Sequence, residues 1–108
     1  MLREIVEKFD KLDIYEKRSI TDKYCELVFY SKDTKKWSEI LAGFLGQAVK
    51  PAGEEPTKDD LLLTKGYGGI HKNQTLFKKE LGNAVIIAMF WPWQDGTFTT
   101  LKAALNEV

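Results

Sequence analysis

The chain has 108 residues, of which 44% are apolar, 12% aromatic and 30% charged. That length fits a single globular domain over residues 1–108, and the composition excludes disorder, collagen and coiled coil. Sixteen Lys and Arg balance sixteen Asp and Glu, so no overall field favours nucleic acid or an anionic membrane, and neither is expected as a partner.

Leu2, Ile5, Val6 and Phe9 recur at helical spacing, with Leu12 extending the row and Arg3, Glu4, Glu7, Lys8 and Lys11 opposite. An amphipathic helix therefore opens the chain, and the segment lacks the unbroken apolar stretch of a secretory signal. Residues 13–22 scatter Ile14, Tyr15 and Ile20 among charges at no regular period and read as a connection with at most a short helix. Tyr24–Tyr30 is aromatic and β-branched, with Cys25, Leu27 and Phe29 on one side and Val28 and Tyr30 on the other, which predicts a strand. Ser31–Thr34 offers cap oxygens to a helix carrying Trp37, Ile40, Leu41, Phe44 and Leu45, with Gly46 placed to end it.

Residues 47–50 read as a short edge strand ahead of Pro51. Thr57 and Asp60 have the spacing of a capping box, predicting a short helix through Leu61, Leu62 and Leu63 to Lys65, closed by Gly66. Residues 74–81 suit either a short helix, on Phe77 and Leu81, or the first arm of a hairpin turning at Gly82-Asn83; the hairpin is favoured. Ala84–Trp91 is apolar on both faces and predicts the central strand of the sheet. Asp95 or Thr97 then caps a last helix with Phe98, Leu101, Leu105 and Val108 inward. The sum is a small α+β sandwich, a mixed sheet of about three or four strands with helices packed on it.

Cys25 is the only cysteine and His71 the only histidine. An internal disulfide, a cysteine-based zinc cluster and a histidine-based metal motif are excluded, no cofactor fingerprint is present, and a cytoplasmic protein is expected. The run from residue 84 to 93 is about half of what a membrane-spanning helix needs.

Residues 64–79 contain Lys65, Lys72, Lys78, Lys79 and His71 but no acid. Within them Gly66, Tyr67, Gly68, Gly69, His71, Lys72, Asn73 and Gln74 form a glycine-rich loop whose backbone N–H groups can converge on an anion, with Lys72 and His71 adding charge. The plain alternative is a set of turns with solvated lysines. Trp91, Trp93 and Asp95 follow the presumed central strand, where a ligand wall or an interface anchor is placed in many sheets; against this stands Trp91 as core and Trp93 as a cover. Asp33 and Asp95 approach one another if the strands before them run the same way, offering two carboxylates or merely two helix caps. Cys25, inside a strand, reads as a small buried hydrophobe. These features predict a non-enzymatic binding module whose 65–74 loop holds an anionic small molecule or an acidic protein segment. The alternatives are a small enzyme using His71 as acid or base, and a homodimer joined through Trp91-Pro92-Trp93.

Overall fold

Leu2, Ile5, Val6 and Phe9 are the buried stripe of α1 (Leu2–Phe9), as their spacing predicts. In the computed structural model, which describes residues 2–107, the chain continues through β1 (Ile14–Ile20), β2 (Tyr24–Tyr30), α2 (Thr34–Leu45), α3 (Lys58–Thr64), β3 (Thr75–Glu80), β4 (Ala84–Pro92) and β5 (Phe98–Glu107). The strands form one sheet in the order β1-β2-β5-β4-β3, and every neighbouring pair is antiparallel. The class is α+β, with five strands rather than three or four and no parallel neighbours. No helix among the described residues is long and apolar enough to cross a membrane.

Two buried clusters lie on opposite faces of the sheet. On the first face, α1 and α2 cover Cys25, Leu27, Phe29, Phe77, Ile86, Ala88, Phe90, Leu101 and Ala103. Trp37 of α2 is sandwiched there between Phe9, at 4.2 Å between ring centroids, and Phe29, at 4.1 Å, with all three rings nearly parallel. On the second face, Ile87, Met89 and Ala104 meet Ile70, Leu76, Leu63 and Tyr67, so the segment from α3 to β3 is a lid over the β4 side of the sheet. β4 is thus covered on both faces, which is why its sequence shows no alternation.

Four expectations are corrected by these elements. The centre of the sheet is β5, not β4. The predicted last helix is β5 itself: Leu101, Ala103 and Leu105 face α1 and α2 while Thr100, Lys102 and Ala104 face the other way, and burial on both faces hides this period of two behind a helix-like row of apolar positions. Val108 lies outside the described residues. Residues 14–20 are a strand, not a connection; register shifts between Ile14 and Glu16 and between Lys17 and Ser19 bulge it, which breaks the alternation that marks a strand. The helix after Thr57 carries the predicted capping box but runs on into a 3-10 turn over Lys65–Tyr67 and turns at Gly68 (φ 99°), two residues beyond Gly66.

Other expectations hold. β3 and β4 are a hairpin closed by the Leu81 amide on the Ala84 carbonyl at 2.8 Å, and α2 ends before Gly46. The short edge strand expected at residues 47–50 does not form, and the segment gives only an isolated bridge, Lys50 to Leu76, before Pro51 turns it away. Because β2 and β4 are both antiparallel to β5, they run the same way. The turns after them therefore meet, with Ser31 donating its amide to the Thr97 carbonyl at 2.9 Å.

Candidate functional site

Several backbone groups of the glycine-rich loop already have partners within the fold. The Gly69 amide donates to the Thr64 carbonyl at 2.9 Å and the Gln74 amide to the His71 carbonyl at 3.1 Å, while the His71 amide donates to the Gln74 side chain at 2.8 Å. Three amides of the loop are thus engaged, and its Tyr67, Lys72 and Gln74 carbonyls accept from lysines. Lys50, 2% exposed, donates from Nζ to the carbonyls of Pro51 at 3.1 Å, Lys72 at 3.0 Å and Gln74. Burial pushes its pKa below the usual lysine value, with Asp60, Glu54 and Glu55 pulling the other way. Lys102 donates to the Tyr67 carbonyl at 3.2 Å and sits 3.5 Å from the centre of the Trp91 ring.

Gly68 packs closely against that indole: a Cβ there would stand 2.5 Å from Trp91 Cη2. Only glycine combines this approach with a positive φ. Lys65, Gly66, Gly68, His71, Lys72 and Asn73 are the exposed residues of the loop, and Tyr67 is half-buried against Tyr24, 5.9 Å between rings. The acid-free run of sequence is not acid-free in space, since Glu55 comes within 4.0 Å of Lys72 and Glu80 within 3.5 Å of Lys78. The arrangement clamps the loop to the sheet and leaves lysine side chains outside.

Trp91 and Trp93 part company. Trp91 lies under Gly68 and Lys102, with its indole N–H buried and without a hydrogen-bond partner. Trp93 turns back over the sheet, donating from Nε1 to Thr100 Oγ1 at 2.9 Å. Asp95 accepts from the Thr97 amide at 2.9 Å and so closes its own turn. Among the described residues no group of His, Cys, Asp and Glu has the geometry to hold a metal ion. The Cys25 thiol is fully buried and pushed up to about 11 by that burial, against a weaker opposing bond to the Ala103 backbone.

Around Trp93 the β1 side of the second face carries a cluster of rings. Tyr15 from β1, Tyr30 from β2 and Phe98 from β5 meet there: Tyr15 lies 4.1 Å from Phe98 and 6.0 Å from Tyr30, and Tyr30 lies 5.4 Å from Phe98. Trp93 joins at 5.1 Å from Phe98. The first bulge of β1 puts both Tyr15 and Glu16 on this face, the re-aiming that bulges provide. Two cations border the rings. Arg18 stands 5.6 Å over Trp93, held by Glu16 at 2.8 Å and Glu26 at 3.4 Å, and Lys32 stands 5.7 Å over Tyr30. Glu26 also accepts from the Tyr24 hydroxyl at 2.6 Å, and burial followed by that bond pushes the Tyr24 pKa well above the usual tyrosine range.

Of this cluster only Trp93 stands among the residues that the sequence singles out. Tyr15 and Arg18 sit in the unrecognised strand, and Phe98 is assigned to the inward side of a helix that does not form. The signal that finds the cluster is the outer row of β2, Tyr24, Glu26, Val28 and Tyr30, an aromatic row on the face away from Phe29. A comparison with known proteins finds no family model, no curated protein and no solved structure that matches this chain.

Proposed function

We propose that the protein is a non-enzymatic binding module whose recognition surface is the aromatic end of the second sheet face, built from Tyr15, Tyr30, Trp93 and Phe98 and flanked by Arg18 and Lys32. The observation that carries this reading is the fixed ring cluster itself, with Tyr15 half exposed at 50%. Trp, Tyr and Arg are the residues that anchor protein interfaces, and aromatic rings with two torsions lose little freedom when a partner covers them. The surrounding bonds, from Trp93 to Thr100 and from Arg18 to two glutamates, hold the surface in shape before any partner arrives. In this reading the 65–74 loop is a clamp on the neighbouring half of the face, with Lys65 and Lys72 as its outward charges, and the partner is a polypeptide segment.

The test is selection of binders from a peptide library against the intact chain. Selected peptides should lose about tenfold or more in affinity on Tyr15→Ser, the loss expected at an interface anchor, while thermal unfolding of the variant stays close to that of the wild type. Failure to enrich any binder, or binders indifferent to both Tyr15→Ser and Lys32→Glu, would contradict the proposal. Concentration-dependent sedimentation abolished by Tyr15→Ser would identify the partner as a second copy of the chain.

A further inference from the structure

We infer that the outward face of α3 is a second docking surface, shaped for an amphipathic helix that carries carboxylates at both ends of an apolar pair. α3 is anchored from inside by Leu63, packed on the second cluster, and by Thr64, which is buried and donates to the Asp60 carbonyl at 2.8 Å. Its first turn is locked by the Thr57 and Asp60 capping box. Lys58, Leu61, Leu62 and Lys65 are exposed and follow the i, i+3, i+4, i+7 row of one helix face, with the exposed Asp59 outside that row at its edge. All four line a single open depression of about 420 Å³. Leu61 is 47% and Leu62 72% exposed, and they are adjacent on a short, well-fixed helix rather than scattered singly.

The charges choose among occupants. Lys58 and Lys65 pair with no acid among the described residues, and the Asp60 carboxylate is turned back to the Thr57 amide at 2.9 Å. The stripe therefore reads cation, apolar, apolar, cation, spanning eight residues, or about 10.5 Å for the steps between its ends at the helical rise. A partner helix with an acid at each end of two apolar residues, at the same spacing, meets both ammonium groups while its apolar pair covers Leu61 and Leu62. A second copy of this chain does not fit, because a two-fold axis through the stripe sets ammonium groups against ammonium groups at both ends. Two leucines and two lysines on one short helix are likewise a small footprint for a bilayer, which holds proteins through long apolar faces or several lipid-directed signals.

The surface is separate from the aromatic end, so its test does not depend on the reading above. The probe is an alanine-based peptide with two tandem copies of Glu-Ala-Ala-Leu-Leu-Ala-Ala-Glu, titrated into the full chain by amide-resolved NMR. Saturable shifts are expected at residues 58–65. The affinity should fall about tenfold in the Lys58→Glu, Lys65→Glu double variant, as two rim attractions become repulsions, and should return when the peptide carries Lys in place of Glu. Tyr15→Ser should leave it unchanged. Absence of saturable shifts, or binding unmoved by the charge reversal and its swap, overturns the inference. So does a dimer in sedimentation that Leu62→Ser dissolves, or attachment to phosphatidylserine vesicles that Leu62→Ser abolishes, each of which assigns the stripe to a different occupant.

Discussion

On the first face of the sheet, α1 and α2 lay Leu, Ile, Phe and Trp side chains directly onto β2, β4 and β5, and the cover is almost wholly apolar. On the second face, the lid from α3 to β3 is fastened by two lysines, Lys50 and Lys102, whose ammonium groups hold carbonyls of the lid. Beyond that lid the β1 side is left to single side chains, Trp93 and Arg18 among them. The difference separates stability from recognition. An apolar cover binds through area and continues wherever helix meets sheet, whereas a lid held by a few directional bonds stops where its lysines stop, leaving aromatic rings at the boundary.

Opening the apolar side has the largest expected effect. Trp37→Ala removes the ring between Phe9 and Phe29 and should cost about 3–5 kcal/mol in denaturant unfolding, the usual loss for a buried tryptophan. A loss below about 1 kcal/mol would mean that the stack is not the hub of this face. Lys50→Met tests the fastening of the other side. It strands the Gln74 carbonyl, while the Lys72 and Pro51 carbonyls keep the Gly53 amide at 2.7 Å and the Glu54 amide at 3.3 Å, and about 1–3 kcal/mol is expected from leaving a buried carbonyl without a donor. Hydrogen exchange should quicken most in residues 70–74, and uniform quickening across the sheet would instead make Lys50 part of the global core.

Gly68→Ala disturbs the lid at a smaller scale. A methyl 2.5 Å from Trp91, at a φ of 99°, forces the lid off the indole and should cost about 1–2 kcal/mol. Trp91 fluorescence should move toward that of a solvated indole, and an unchanged spectrum would show that the lid can shift without exposing the ring.

How far the sequence discloses this architecture depends on how many sides of an element meet solvent. α1 and α2 are one-sided, so their apolar rows appear at clean helical spacing, and the capping box of α3 and the Gly82-Asn83 turn are local chemistry that needs no neighbours. β5 is covered on both sides and rich in Thr and Ala, so its period of two is invisible until the sheet is assembled. β1 is the reverse case: nearly all of it is exposed, and its bulges scramble what alternation remains. The candidate surface suffers from both, because Tyr15 and Arg18 come from β1 and Phe98 from β5. The glycines of the loop are legible as turns, but which way its amides and carbonyls point depends on Lys50 and Lys102, distant in sequence from the residues they hold.

The most direct test of the division between a fastened lid and a recognition surface is amide- and indole-resolved NMR of the intact chain, titrated with a peptide selected against it. This division predicts saturable shifts at the Trp93 indole N–H and at the amides of Tyr15, Tyr30 and Phe98, with residues 66–74 silent. Shifts confined to residues 66–74, with the ring cluster unmoved, would contradict it and return the binding role to the glycine-rich loop.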